Sequence, residues 1–183
     1  MKVEVPGRRV YRLLYPRQVV LVTCMGERGP NIIPIAWSIP LSFEPPLVGI
    51  SVSPKRYSHG LILRSKEFVI NIPTQGLLKE VMETGSCSGE HVDKFSTCGL
   101  TAAPAKRVKA PIISECIAHI ECRLREALEL GDHTLFVGEV LAAYSDPAYF
   151  NGESYTKEGD LLYQLAGEVF ITPGRRVKYD AVR

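Results

Sequence analysis

Between Ser53 and Ser58 the chain sets two cations and three hydroxyls side by side: Ser53-Pro54-Lys55-Arg56-Tyr57-Ser58. With Ser58 as an N-cap, a helix would start here with its first backbone N–H groups unpaired and its positive dipole end turned outward. That end, with Lys55 and Arg56 beside it, suits a phosphate. Arg56 can grip an anion bidentately, while Ser53, Tyr57 and Ser58 offer hydroxyl hydrogen bonds. The same residues also suit an ordinary capped helix with two solvated cations, and local chemistry alone does not choose between the readings.

Three more residues have types that bear on chemistry. His133 stands in the tight turn Leu130-Gly131-Asp132-His133, either bonded to its neighbours or lining a pocket. Lys94 lies in a long polar stretch, where the plain reading is a solvated surface lysine. Trp37 is the only tryptophan, and its apolar neighbours Ile35 and Ile39 suit a core aromatic. Hydrolytic signatures are missing: there is no G-x-S-x-G and no H-E-x-x-H. No G-x-G-x-x-G follows an expected strand, so a dinucleotide site of that type has no support.

The elements that must position these residues are mostly strands. Val19–Thr23 is a continuous β-branched run, the pattern of a strand buried on both faces. Gly26–Pro30 reads as a hairpin turn into a second strand ending at Ala36-Trp37-Ser38. Pro34 inside that strand cannot donate to a ladder, which places it at an edge or a bulge. After a turn at Pro45-Pro46, strands are expected over Leu47–Ser53 and Glu67–Ile72, with the short helix between them. Thr74 opens a second helix with Leu77, Leu78, Val81 and Met82 on one stripe and Gly85 as its stop. Ser86–Pro111 reads as a loop, and loops of that length usually cover or build something.

Cys116–Leu128 alternates. Cys116, Ala118, Ile120, Cys122 and Leu124 share one face, and His119, Glu121, Arg123 and Arg125 the other, as in a half-buried strand. A partner strand is expected over Leu135–Tyr144, then a polar loop to Gly159. A short strand follows at Leu161–Leu165, which Glu168–Thr172 would continue. Tyr11, Leu13 and Leu14 are expected to anchor the N-terminal arm, and Val177 and Tyr179 a basic tail.

At 183 residues the chain suits one domain. It divides into an arm (1–15), a body and a C-terminal extension (146–183). A net charge of +2, with no basic run interleaved with aromatics, argues against nucleic acid and acidic membranes as partners. The first residues lack the apolar core of a secretory signal, and the longest apolar run is too short for a bilayer. A cytoplasmic protein with reduced thiols is expected. The five cysteines contain no C-x-x-C pair, which argues against a structural zinc site.

Taken in order, several segments resemble one family. They are Ala36-Trp37-Ser38, Ser42-Phe43-Glu44-Pro45-Pro46-Leu47-Val48, Ser51-Val52-Ser53-Pro54-Lys55-Arg56-Tyr57-Ser58 and Phe68-Val69-Ile70-Asn71-Ile72-Pro73. Val92–Phe95, Ile113–Cys116 and Gly131-Asp132-His133 leading into Phe136–Val140 add to them. Together they resemble the flavin reductase-like, FMN-binding split-barrel family, and within it the flavoredoxin branch. The likeness runs roughly from Tyr15 to Gly174.

That resemblance implies a mainly β split barrel with short helices, homodimeric, the C-terminal extension meeting the partner subunit. It implies FMN as cofactor, with Ser53, Arg56, Tyr57 and Ser58 on the phosphate and Lys94 as a further contact. Ala36, Trp37, Ser38 and Ile39 would meet the ring and ribityl chain, with Ser51 and Val52 below. His133 would lie at the open face of the ring, where NAD(P)H would bind transiently as donor. Two activities follow from it: a reductase passing hydride or electrons to a flavin, ferric or protein acceptor, and a non-enzymatic electron carrier between proteins.

Overall fold

A computed structural model describes residues 2–175 and 177. Twelve strands run through them: β1 Arg17–Gln18, β2 Val20–Gly26, β3 Gly29–Ile35, β4 Ser38–Phe43, β5 Pro46–Val52, β6 Glu67–Ile72, β7 Ala102–Ala103, β8 Ile112–Ile113, β9 Ala118–Leu130, β10 His133–Ser145, β11 Tyr163–Ala166 and β12 Val169–Ile171. Three α-helices are interspersed: α1 Tyr57–Ser65, α2 Leu78–Ser86 and α3 Lys94–Cys98.

Seven strands form one antiparallel sheet in the order β3-β2-β6-β9-β10-β5-β4. The sheet curls into a barrel whose interior holds Val20, Val22, Ile35, Ile50, Val52, Phe68, Ile70, Cys122 and Phe136. Helix α1 plugs it, burying Leu61 and Ile62 in the same core. Alternate residues of β2 point the other way. Leu21, with Val19 just before the strand, packs outside the barrel against the cluster of Val81 of α2 and Phe95 of α3, so this strand is buried on both faces. β1, β11 and β12 make a small separate sheet beside it.

β3 is an edge strand, as Pro34 requires, and Pro34 pairs in register with Leu21. Past its end the chain crosses toward β5, where the Ser51 N–H donates to the Trp37 carbonyl at 2.9 Å. The ladder is therefore open along β3, and the barrel has a seam there.

Several expectations need correction. The stretch 31–73 holds four strands, not three: β3 ends at Ile35, and Ser38–Phe43 is a strand of its own. α2 runs through Gly85 to Ser86. The loop 86–111 contains α3, capped by Asp93, whose Oδ1 accepts from the Phe95 and Ser96 N–H groups. β9 is not half-buried in its first part, since His119 and Glu121 are as buried as Cys122. The segment covering that face gives Glu121 the N–H groups of Lys106 and Arg107, the Tyr144 hydroxyl of β10 adds a third donor, and His119 bonds to Asn71 of β6. β12 turns back as a hairpin on β11 and does not continue it. Tyr11 does anchor the arm, edge-on to Trp37, whereas Leu13 and Leu14 are exposed. Val177 is exposed too, and Tyr179 lies outside the described residues.

Candidate functional site

The seam opens into a groove of about 530 Å³. Ile33, Pro34, Ile35 and Ala36 form one wall, Ser51, Val52 and Ser53 another. Trp37 and His133 meet at one end, their rings 4.8 Å apart at 38°. Lys55, within electrostatic reach of Asp132, and Arg56 also line the groove, and it continues past Arg56 into a polar cavity of about 280 Å³. Arg56, Tyr57, Ser58 and Lys94 all line that second cavity. Of the residues singled out in the sequence, Ala36, Trp37, Ser51, Val52, Ser53, Arg56 and His133 share the groove, and Tyr57, Ser58 and Lys94 join Arg56 beyond it.

Ser38 and Ile39 are not brought to this groove. Ser38, Ile39 and Pro40 of β4 line a different cavity, shared with Val48, Ile70, Ile72 and Ile120.

The polar corner is built on the start of α1. That helix begins at Tyr57 with Arg56 at the N-cap, extended at φ −91° and ψ 131°, and has no side-chain cap. Ser58 is therefore not the N-cap. It sits in the first turn, 3% exposed, its Oγ accepting from Asn31 Nδ2 of β3 at 2.7 Å. The consequence for anions is the same, because the first N–H groups of the helix remain without a side-chain acceptor. Arg56 makes no ion pair among the described residues.

Lys94 is not the solvated surface lysine that its polar stretch suggests. It is 5% exposed, and its Nζ donates to the Ile32 carbonyl at 2.9 Å and the Thr84 carbonyl at 2.5 Å. Burial, and more weakly the charge of Arg56, holds its pKa below the ordinary lysine value. An ammonium has three donors, and neither partner is a carboxylate. Desolvating a cation costs on the order of several kcal/mol, so a counter-charge in the cavity would be strongly favoured.

At the opposite end, His133 Nδ1 donates to Asp132 Oδ1 at 2.7 Å, which leaves Nε2 without a partner among the described residues. That hydrogen bond holds the Asp132 carboxyl below its usual value. Trp37 is fixed from behind: its Nε1 donates to the Tyr15 hydroxyl at 3.1 Å, and Tyr11 packs edge-on against it.

Sequence reasoning missed Asn31, Gly89, Gln164 and Tyr15, which also line these cavities. Gly89 packs so closely that a Cβ there would come 1.9 Å from Asn31 Oδ1. A glycine beside serines in a polar stretch was the available signal, but its contact lies on a distant strand.

An antiparallel barrel plugged by one helix, with a cationic corner at that helix's start and an aromatic groove along the open seam, is the architecture of a split-barrel binding protein. The chain belongs to the flavin reductase like domain family, whose sequence profile matches residues 11–164. It is 38% identical over 172 residues to an uncharacterized protein of Archaeoglobus fulgidus, a match covering 94% of this chain and 96% of the relative. Its fold resembles an FMN-binding protein from Thermus thermophilus with bound p-hydroxybenzaldehyde, at 30% identity and a TM-score of 0.84, covering 98% and 97% of the two chains. It also resembles flavoredoxin from Methanosarcina acetivorans, at 28% identity and a TM-score of 0.88, covering 98% and 95%. No helix among the described residues is long and apolar enough to cross a membrane.

Proposed function

We propose that this chain binds FMN along the barrel seam and acts as an oxidoreductase. It would pass hydride or electrons from a reduced donor such as NAD(P)H to a flavin, ferric or protein acceptor. The observation that carries the reading is Lys94, a buried ammonium with only carbonyl partners, opening with Arg56 onto an uncapped helix start. A dianionic phosphate at that corner would supply the missing counter-charge. The donor set fits FMN, because the groove leading away from the corner has one wall of Ile33, Pro34, Ile35 and Ala36, polar groups on the other, and two mutually tilted rings at its end.

In this reading Arg56, Lys94, Ser53, Tyr57 and Ser58 hold the phosphate. Ala36, Trp37, Ser51 and Val52 line the ring and ribityl path, and Ser38 and Ile39, which face another cavity, take no part in it. Bound flavin would supply the hydride and electron chemistry. The protein's own work is to orient the ring, exclude water from one face and keep His133, steadied by Asp132, beside the open face. We propose further that two copies pair. Exposed Val10, Leu13, Leu14, Ile39, Leu41 and Phe43 support this, since apolar side chains left in water favour association.

The likeness to flavoredoxin favours a second reading, an electron carrier between proteins. Two measurements separate the possibilities. The purified protein titrated with FMN should quench and shift the flavin spectrum at one equivalent per chain, and no binding would end both readings. Anaerobic mixing of the loaded protein with NADH or NADPH should bleach the flavin at catalytic rates if it is an enzyme; a bound flavin that stays yellow makes it a carrier.

A further inference from the structure

A cavity of about 370 Å³ reaches the barrel core from the end that α1 does not plug. Strand β2 tells the two ends apart. It starts at the cavity with Val20 and finishes at Gly26, where a Cβ would sit 3.1 Å from Leu61 of α1. Val20, Ile70 and Ile72 of the core line the cavity, each 5% exposed or less, and Val48 and Ile120 pack against that core beside them. Four polar residues share this apolar wall: Arg17, Gln18, Ser38 and Tyr163. Among the described residues no carboxylate lines it.

We propose that this cavity binds a small apolar monocarboxylate, a branched-chain or ring-bearing acid whose charge rests on Arg17. The site is distinct from the flavin groove and does not depend on the flavin reading.

Charge complementarity selects the ligand. Arg17 is half-buried and makes no ion pair among the described residues. Its Nη2 donates to the Ser38 carbonyl at 2.9 Å, which fixes the guanidinium and leaves further N–H groups of the fork for a ligand. Gln18, the next residue of β1, adds a donor, because its Nε2 is buried and has no hydrogen-bond partner. An unpaired buried donor is costly, and an acceptor carried in by a ligand recovers that cost.

One guanidinium and one amide N–H match one carboxylate. A phosphate dianion would bring a second charge that no other cation in the lining answers, and a cation would meet Arg17 with nothing acidic to hold it. The aliphatic wall favours an apolar body through the area it removes from water. Barrel mouths with such a wall and a few convergent polar groups are common sites for small molecules.

The cavity also touches the groove through one peptide. Trp37 lines the groove and Ser38 the cavity. The Tyr15 hydroxyl accepts from the Trp37 indole, and Arg17 holds the Ser38 carbonyl, so an acid seated on Arg17 alters the surroundings of Trp37. Emission from the only tryptophan therefore reports occupancy.

The test titrates cyclohexanecarboxylate, and cyclohexanecarboxamide as its uncharged control, into the purified full chain by calorimetry and tryptophan emission. Excess inorganic phosphate is present throughout to occupy the anion corner. The acid should bind at one equivalent per chain, at least about tenfold tighter than the amide, as a charge-assisted contact requires. Trp37 emission should change with the same midpoint. Arg17→Gln should abolish the preference for the acid, and Ile120→Phe, which fills the cavity without touching a donor, should abolish binding of both compounds. If Ile120→Phe does not fold, the Arg17→Gln result decides alone. Several results would overturn the proposal: no binding of either compound, as when a second copy's side chains close the cavity; an acid no tighter than its amide; a preference that survives Arg17→Gln; binding that survives Ile120→Phe; or bound acid that leaves Trp37 emission unchanged.

Discussion

The indole of Trp37 and the imidazole of His133 lie 4.8 Å apart, joining the end of one barrel edge to the β9–β10 turn. Asp132 holds the imidazole through Nδ1, so the ring has a fixed plane and, among the described residues, one nitrogen without a partner. If external donors approach at this end, His133→Ala should slow anaerobic flavin reduction by at least about tenfold, equivalent to ~1.4 kcal/mol in the transition state. FMN affinity should hardly change. Stopped-flow reduction beside a binding titration checks both, and the reverse pattern would place His133 in the phosphate or ribityl contacts instead.

The other end of the groove should behave oppositely. Arg56→Ala should weaken FMN by about 1.5–3 kcal/mol, the range for a hydrogen bond to a charged group. Riboflavin, which lacks the phosphate, should bind wild type and variant alike. Equal losses for both ligands would move Arg56 away from the phosphate.

Gly89 gives a test that adds a group in place of removing one. A Cβ at this position would meet Asn31 Oδ1 at 1.9 Å. Asn31 is buried and donates to Ser58, so it has little room to yield. Gly89→Ala should therefore cost about 1–3 kcal/mol of stability by overpacking. It should also weaken FMN, because displacing Asn31 frees Ser58 in the first turn of α1. Denaturant unfolding and a flavin titration on the same sample read the two effects, and a variant as stable and as tight as wild type would refute the contact.

Glu121 provides a pH signature away from the groove. Burial alone would push its carboxyl up, but the N–H of Lys106, the Tyr144 hydroxyl, and the N–H groups of Arg107 and Val108 outweigh it and hold the pKa below 4.5. A carboxylate depressed in the fold contributes stability that is complete above the unfolded value and lost as pH falls through the folded one. Glu121→Gln should thus be less stable by about 1–3 kcal/mol at neutral pH, since an amide cannot accept from all these donors. Its stability should also fall less steeply below pH 4.5 than that of wild type. Parallel acid slopes in thermal melts from pH 3 to pH 7 would exclude Glu121 as a source of the acid sensitivity.

What could be read from the sequence was local. The β2–β3 hairpin follows from a β-branched run and a turn, and the edge position of β3 from Pro34. The corner at Arg56 was legible because its residues are contiguous. β4 was missed although Ile39, Leu41 and Phe43 alternate properly, because the segment was read as the end of one strand running on to the turn at Pro45-Pro46. Ser58 looks like a cap to any local rule; what takes it into the helix is Asn31, on another strand. The polar face of β9 was read as solvent-facing because its charged side chains gave no sign that the backbone N–H groups of the preceding loop, at Lys106 and Arg107, would fold over it. Lys94 has the same lesson in reverse, since a lysine in a polar stretch gives no sign that two backbone carbonyls will enclose it.

Helix α1 seals the barrel with Leu61 and Ile62 and presents its first turn to the anion corner. One rigid rod therefore serves as stopper and as clasp. A ligand that grips its tip also tightens the stopper, so occupancy and resistance to heat should rise together. Loosening the hydrophobic end should likewise blur the cationic one without a single change at the point of contact.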